Sequence, residues 1–125
     1  MYSERVLDHF KKPRNAGELA GADAAVEVSN PVCGDVLKLA VKVKEGRIEE
    51  VRFLCRGCTT AIACGSVLTV NMLGMKWTLL SGIRADTVAR ALEGVPEASY
   101  HAAQLAEDAV RALIVKLKEA ELGAQ

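Results

Sequence analysis

Residues 36–55 read VLKLAVKVKEGRIEEVRFLC, two runs of alternating apolar and polar side chains separated by Glu45-Gly46. Alternation with a period of two is typical of a β-strand that buries one face and exposes the other. Glu45-Gly46 has the length and composition of a tight turn, so the pattern predicts an antiparallel hairpin. The predicted inner face carries Leu37, Leu39, Val41, Val43, Val51, Phe53 and Cys55.

The segments around this hairpin predict one more strand and several helices. A short strand at residues 26–28 precedes it, and before that strand Ser3 caps a first helix. After the hairpin, Thr59 or Thr60 is predicted to cap a helix that runs from Ala61 through Met72 and is apolar nearly all round, so this helix is expected to be buried. Two further helices are predicted after Asp86 and from near Tyr100. In the first helix the apolar side chains expected on one face are Val6, Leu7 and Phe10.

This order of elements predicts the fold class. Strands followed by helices, without alternation of the two, indicate an α+β fold rather than a parallel sheet. We expect a small antiparallel β-sheet with helices packed on one face. The chain contains no repeat and no low-complexity linker, so residues 1–125 are predicted to form a single domain.

Charge and composition argue against two classes of partner. Sixteen basic and sixteen acidic residues cancel, and only 4% of the residues are aromatic, so the chain lacks the features that bind nucleic acid. Its longest uncharged stretch, residues 57–75, is interrupted by polar residues and predicts a buried helix rather than a membrane span. The first ten residues carry charges throughout, which is unlike a signal peptide. The sequence therefore predicts a cytoplasmic protein.

The cysteines are the first candidates for chemistry. In a reducing compartment Cys33, Cys55, Cys58 and Cys64 are expected to be ligands, nucleophiles or core residues rather than disulfides. Cys33 and Asp35 are two residues apart, so in an extended segment both project to the same side. Cys58 falls where a strand passes into a helix, and a helix N-terminus favours the thiolate form.

Spacing alone does not name a metal. Cys33, Cys58 and the distant His101 fit no compact zinc finger. Taken singly, each cysteine is equally well explained as a turn or core residue, and a lone histidine is more often structural or exposed than a ligand. The residues therefore indicate a metal site without identifying its occupant.

Four separated motifs together resemble a known family. Residues 2–10, YSERVLDHF, followed by Pro13-Arg14-Asn15, are similar to the N-terminal signature of the IscU/NifU N-terminal family. The motifs Cys33-Gly34-Asp35, Gly57-Cys58 and 105–109 (LAEDA) after His101 continue the resemblance in order along nearly the whole chain. The resemblance implies a non-enzymatic scaffold that receives sulfur from a cysteine desulfurase and iron from a donor. It implies a transient [2Fe–2S] cluster that is passed to apo iron–sulfur acceptor proteins.

The resemblance also implies the ligands, which are Cys33, Asp35, Cys58 and His101. Thiolates hold iron–sulfur clusters firmly, whereas a carboxylate is a harder and poorer ligand that would keep the cluster labile. The same two sulfurs, one nitrogen and one oxygen could bind Zn²⁺ tetrahedrally.

The chain departs from the family pattern at two places. The family has a cysteine directly after the histidine, as a ligand and sulfur acceptor, and here that residue is Ala102. Residues 95–99, VPEAS, differ from the proline-valine-lysine motif that the family's specialised chaperone grips, which argues against that chaperone as a partner.

Three other side chains have competing interpretations. Cys55 forms a Cys-x-x-Cys pair with Cys58 and is a candidate helper ligand, although core packing beside Phe53 explains it too. Cys64 is expected to be a small buried residue of its helix. His9 is expected at the surface or at an interface.

Three functions remain open from the sequence. The first is a working scaffold. The second is a diverged family member that binds zinc, no longer builds clusters and acts as a binding or regulatory protein, which Ala102 favours. The third, an enzyme with a nucleophilic cysteine and His101 as base, lacks an oxyanion motif and an orienting third residue.

Overall fold

The computed structural model describes residues 1–123 and has the predicted α+β architecture. A three-stranded antiparallel sheet in the order β1-β2-β3 packs against helices on one face. The elements are α1 (Glu4–Lys11), β1 (Ala24–Ser29), β2 (Val36–Lys44), β3 (Arg47–Arg56), α2 (Thr59–Met72), α3 (Ala85–Ala91) and α4 (Tyr100–Gly123). Short 3₁₀ helices at Trp77–Gly82 and Glu97–Ser99 join the later elements. The predicted domain of residues 1–125 includes Ala124 and Gln125, which lie outside the described residues.

The predicted hairpin is confirmed. β2 and β3 pair antiparallel from Val36↔Arg56 to Lys44↔Arg47, with an irregularity between Lys42 and Val43. Glu45 and Gly46 both have positive φ, 54° and 78°, as a two-residue type I′ turn requires. The apolar positions of the alternation face the helices and are buried, namely Leu37, Leu39, Val41, Val51 and Phe53.

Helices α2 and α4 supply the other half of the core. α2 contacts β3, and α4 lies across β1 and β2. As its composition predicts, α2 is buried on most sides, and Gly74 with φ 83° follows its end. Its first residue is Thr59, so Cys58 occupies the N-cap position that the sequence had suggested for Thr59 or Thr60. Within residues 1–123, no helix is long and apolar enough to cross a bilayer.

Helix α1 is where the sequence-based expectation was wrong. Val6 is fully buried, but Leu7 and Phe10 are 36% and 38% exposed, and the second buried side chain is His9. Val6 and His9 are three residues apart and therefore point to the same side, toward α2. There His9 Nδ1 lies 2.7 Å from Ser66 Oγ, which also accepts a hydrogen bond from the Arg14 backbone N–H. His9 is thus a core residue that anchors α1, and not a surface residue.

Burial of His9 predicts a loss of stability in acid. Burial is the main cause that lowers the pKa of His9, and Arg14 and Arg5 act in the same direction while Asp8 opposes them. Because the fold favours neutral His9, its contribution is complete above the ordinary histidine pKa and is lost as pH falls below it. We expect the unfolding free energy to decrease between pH 7 and pH 5, by at most about 1.4 kcal/mol per pH unit from this group.

Urea unfolding at both pH values measures this effect. The variant His9→Asn keeps a polar atom near the Nδ1 position but does not titrate, so its stability should depend less on pH than that of the parent. The other histidine of the chain, His101, provides the control: His101→Asn should leave the dependence in place. An unchanged pH dependence in His9→Asn would contradict the interpretation.

Candidate metal centre

Three elements meet at one end of the sheet and bring the predicted ligands together. Asp35 directly precedes β2, Cys58 is the N-cap residue of α2, and His101 is in the first turn of α4. Cys33 lies in the loop between β1 and β2. Predicted ligands on different elements, 23 to 68 positions apart in sequence, therefore become neighbours because the ends of these elements pack side by side.

The segment that carries Cys33 is a turn and not the extended segment that the sequence predicted. The Asn30 side-chain oxygen accepts hydrogen bonds from the backbone N–H groups of Val32 and Cys33, at 2.9 and 3.3 Å. Gly34 has φ 78°, a conformation that glycine adopts without strain, and its N–H donates to the Asn30 carbonyl. An asparagine side chain that binds the backbone two residues on is a recognised turn former, so this loop has a defined shape.

The ligand atoms of Cys33, Asp35 and His101 lie within 4.8 Å of one another. Asp35 Oδ2 is 3.8 Å from His101 Nε2 and also 3.8 Å from Cys58 Sγ. Around a tetrahedral metal with bonds of about 2.0–2.3 Å, ligand atoms are about 3.3–3.8 Å apart. The ligand atoms of Cys33, Asp35 and His101 are therefore near the spacing that one metal ion requires, whereas Cys58 lies beside the Asp35 carboxylate but outside this group of three.

Exposure differs sharply among the four residues. Cys33 and Cys58 are exposed, and the His101 side chain is 32% exposed. The Asp35 side chain is only 11% exposed and lies beneath them. The group thus has a buried oxygen at its base and two thiols at its rim, where a partner protein can reach them.

Nearly the whole chain matches one known protein family. The profile of the NifU-like N-terminal domain matches residues 1–122. This chain belongs to that family. The resemblance predicted from the four sequence motifs is therefore confirmed.

Proteins named as iron–sulfur cluster assembly scaffolds are similar to this chain over most of its length. The iron–sulfur cluster assembly scaffold protein IscU 1 of Archaeoglobus fulgidus is 44% identical over 92% of this chain and 75% of its own length. The iron–sulfur cluster assembly scaffold protein IscU of Escherichia coli K12 is 41% identical over 94% of both chains. A NifU-like protein from Brucella abortus, 21% identical, shares the fold with a TM-score of 0.79 over 93% of both chains.

The histidine-cysteine pair that the sequence resemblance implies is incomplete here. Ala102 follows His101 on α4 and is 2% exposed, with a methyl group that offers no ligand atom. The four predicted ligands, Cys33, Asp35, Cys58 and His101, therefore offer two sulfurs, one nitrogen and one oxygen.

The remaining cysteines are set apart by burial. Cys55 is half-buried on β3, and burial, with smaller effects of Asp35 and Cys58, raises the pKa of its thiol to about 12. Cys64 is fully buried in α2, and burial raises the pKa of its thiol to about 12 as well. At neutral pH both thiols are protonated, whereas a metal requires the thiolate. Like Cys58, both lie outside the group of Cys33, Asp35 and His101, but unlike Cys58 neither has a hydrogen bond to Asp35 within the described residues.

Proposed function

We propose that this chain is a scaffold on which iron–sulfur clusters are assembled before transfer to other proteins. The observation that carries the proposal is the convergence of Cys33, Asp35 and His101 within 4.8 Å, with Cys58 beside Asp35, in a NifU-like N-terminal domain. The names of relatives at 41–44% identity support it. In this role the chain carries a cluster and is not an enzyme.

The donor set suits cluster binding. Cys33 and Cys58 supply soft thiolate ligands, which iron–sulfur clusters require, and His101 supplies an imidazole nitrogen. Both thiols and the imidazole bind in their deprotonated forms, so loading releases protons and weakens as the pH falls. These four side chains match the number of protein ligands of a [2Fe–2S] cluster, which is the cluster that the sequence resemblance favours.

The Asp35 carboxylate is suited to release of the cluster. Asp35 is a hard oxygen ligand beneath two soft sulfurs, so its bond to a sulfide-bridged iron is the weakest of the four. A site with one weak ligand and an exposed rim can give up its cluster to an acceptor that offers better thiolates. The proposal therefore includes sulfur from a cysteine desulfurase, iron from a donor, and apo iron–sulfur proteins as acceptors.

The proposal extends to location and alternative occupants. It puts a single domain of residues 1–125 in the cytoplasm, where thiols remain reduced. Zn²⁺ can occupy the same four ligands tetrahedrally. Because residues 95–99 depart from the family's proline-valine-lysine motif, the proposal does not include the specialised chaperone.

Metal and acid-labile sulfide analysis of protein purified without oxygen tests the function. We expect iron and sulfide in equal amounts, with visible charge-transfer absorbance, directly or after reconstitution with iron, sulfide and reductant. A protein that holds only zinc and stays colourless after reconstitution would contradict the scaffold function.

Ala102 favours a second candidate, a zinc-binding regulatory protein that no longer builds clusters. The variant Ala102→Cys distinguishes the two, because it supplies the thiol of the family pattern beside His101. If the parent stays colourless and Ala102→Cys gains cluster absorbance, the second candidate is supported. If both bind a cluster, the lost thiol is dispensable and the scaffold function stands.

A further inference from the structure

Gly57, which joins β3 to α2, lies in direct contact with the Asp35 carboxylate. Its φ lies outside the left-handed region, so the backbone conformation there does not itself call for glycine. A Cβ atom built on Gly57 would be 2.8 Å from Asp35 Cγ and 3.0 Å from both Asp35 Oδ2 and Ala61 Cβ. The carboxylate thus occupies the space that the side chain of any other residue would need.

The place that the carboxylate occupies is the centre of the candidate metal site. From there Asp35 Oδ2 lies 3.8 Å from Cys58 Sγ and 3.8 Å from His101 Nε2. We infer that Gly57 is a positioning residue whose missing side chain admits the Asp35 carboxylate between Cys58 and His101. The consequence for metal binding rests on the proposed function, whereas the contact itself does not.

A methyl group at position 57 should displace the Asp35 carboxylate without disrupting the fold. The 2.8 Å contact with Asp35 Cγ forces a shift, and the 3.0 Å contact with Ala61 is also tighter than ordinary packing, so either residue could respond. Ala61 is 3% exposed within α2, whose neighbours are closely packed, while the carboxylate moves by rotation about one side-chain bond. The variant Gly57→Ala is therefore expected to fold and to keep both thiols and the imidazole, but to lose the oxygen from the centre.

Cobalt(II) titration of metal-free protein measures this loss, since its visible bands report the number and type of ligands. The titration compares four proteins, the parent, Gly57→Ala, Asp35→Ala and the double variant. We expect Gly57→Ala to weaken Co²⁺ binding about 10- to 100-fold, the usual effect of removing a group that positions a ligand. Because Gly57 acts through Asp35, the double variant should bind no more weakly than Asp35→Ala alone.

Gly82 provides a matched control. It also has φ outside the left-handed region, and apart from adjacent parts of its own segment no heavy atom of the described chain lies within 4 Å of a Cβ built on it. Gly82→Ala should bind Co²⁺ like the parent. Losses that add in the double variant, or an equal loss in Gly82→Ala, would overturn the inference.

A structure of metal-free Gly57→Ala separates this inference from the proposed function. A parent protein that binds no Co²⁺ would contradict the metal centre, but the position of the carboxylate still decides the inference. We expect it to have left Cys58 and His101, and a carboxylate that remains between them would overturn the inference. If Gly57→Ala does not fold, the double variant should fold again, and failure of both would assign the clash to Ala61 and overturn the inference too.

Discussion

Serine in place of Cys58 is expected to give a folded protein that stays colourless after reconstitution with iron, sulfide and reductant. Cys58 Sγ is one of two thiols at the candidate centre, and a serine hydroxyl does not ionise at neutral pH to replace it. Loss of one of two thiolates should reduce cluster absorbance and bound sulfide to background.

This substitution separates loss of a ligand from loss of the fold. Cys58 is the N-cap residue of α2 and makes no side-chain capping hydrogen bond within the described chain. Serine is among the preferred N-cap residues, because its oxygen accepts from a free N–H of the first turn. Cys58→Ser should therefore be as stable as the parent or more stable by up to about 1 kcal/mol, which urea unfolding measures.

Two further cysteine variants complete the comparison. Cys33→Ser removes the other exposed thiol and should give the same loss of cluster. Cys64→Ala removes a buried thiol outside the group and should keep the cluster at some cost in stability. Full absorbance in Cys58→Ser would mean that another thiol is the ligand. Cys55, near the end of β3, would then be the candidate.

The hairpin could be predicted because its information is local. The alternation from Leu37 to Phe53 and the Glu45-Gly46 turn set the register of β2 and β3, since a shift by one residue would expose the apolar face. The same holds for the uniformly apolar α2. The buried face of α1 was predicted incorrectly because the partner of His9 is Ser66, 57 residues away in sequence, and no local pattern contains that contact.

For the candidate site, too, the local features could be predicted and the long-range ones could not. Cys33, Asp35, Cys58 and His101 could be named from motifs, because each motif is contiguous in sequence. Their geometry could not be predicted from the sequence, since the burial of Asp35 and its contact with Gly57 arise where the starts of β2 and α2 meet. The Asn30-centred turn was also missed, because the residues from Cys33 to Asp35 were interpreted as an extended segment.

Replacement of Gly65 by alanine should destabilise the protein, although helix propensity alone predicts the opposite. Gly65 is in the interior of α2, where alanine is favoured over glycine by about 1 kcal/mol. A Cβ atom there would lie 2.6 and 2.7 Å from Cδ2 and Cε2 of the Phe53 ring. Inserting a methyl group into a packed core costs about 1–3 kcal/mol.

The steric cost should exceed the gain in helix propensity because the Phe53 ring cannot move away. Phe53 is 2% exposed at the centre of β3, and its backbone N–H and C=O are held by Asn15 and Gly17. An overlap with a rigid, buried ring belongs at the upper end of the range, so the net loss should be about 2 kcal/mol. The alternative response, a shift of α2 away from β3, would also move Cys58 away from Asp35.

Urea unfolding of Gly65→Ala, Phe53→Leu and the double variant tests this argument. Each single variant should have a lower unfolding free energy than the parent. The decrease in the double variant should be smaller than the sum of the two single decreases, because the smaller side chain leaves room for the methyl group. A Gly65→Ala protein more stable than the parent would mean that propensity dominates and that α2 is not packed this closely on the sheet. Close packing is what holds the N-terminus of α2, and with it Cys58, against the start of β2.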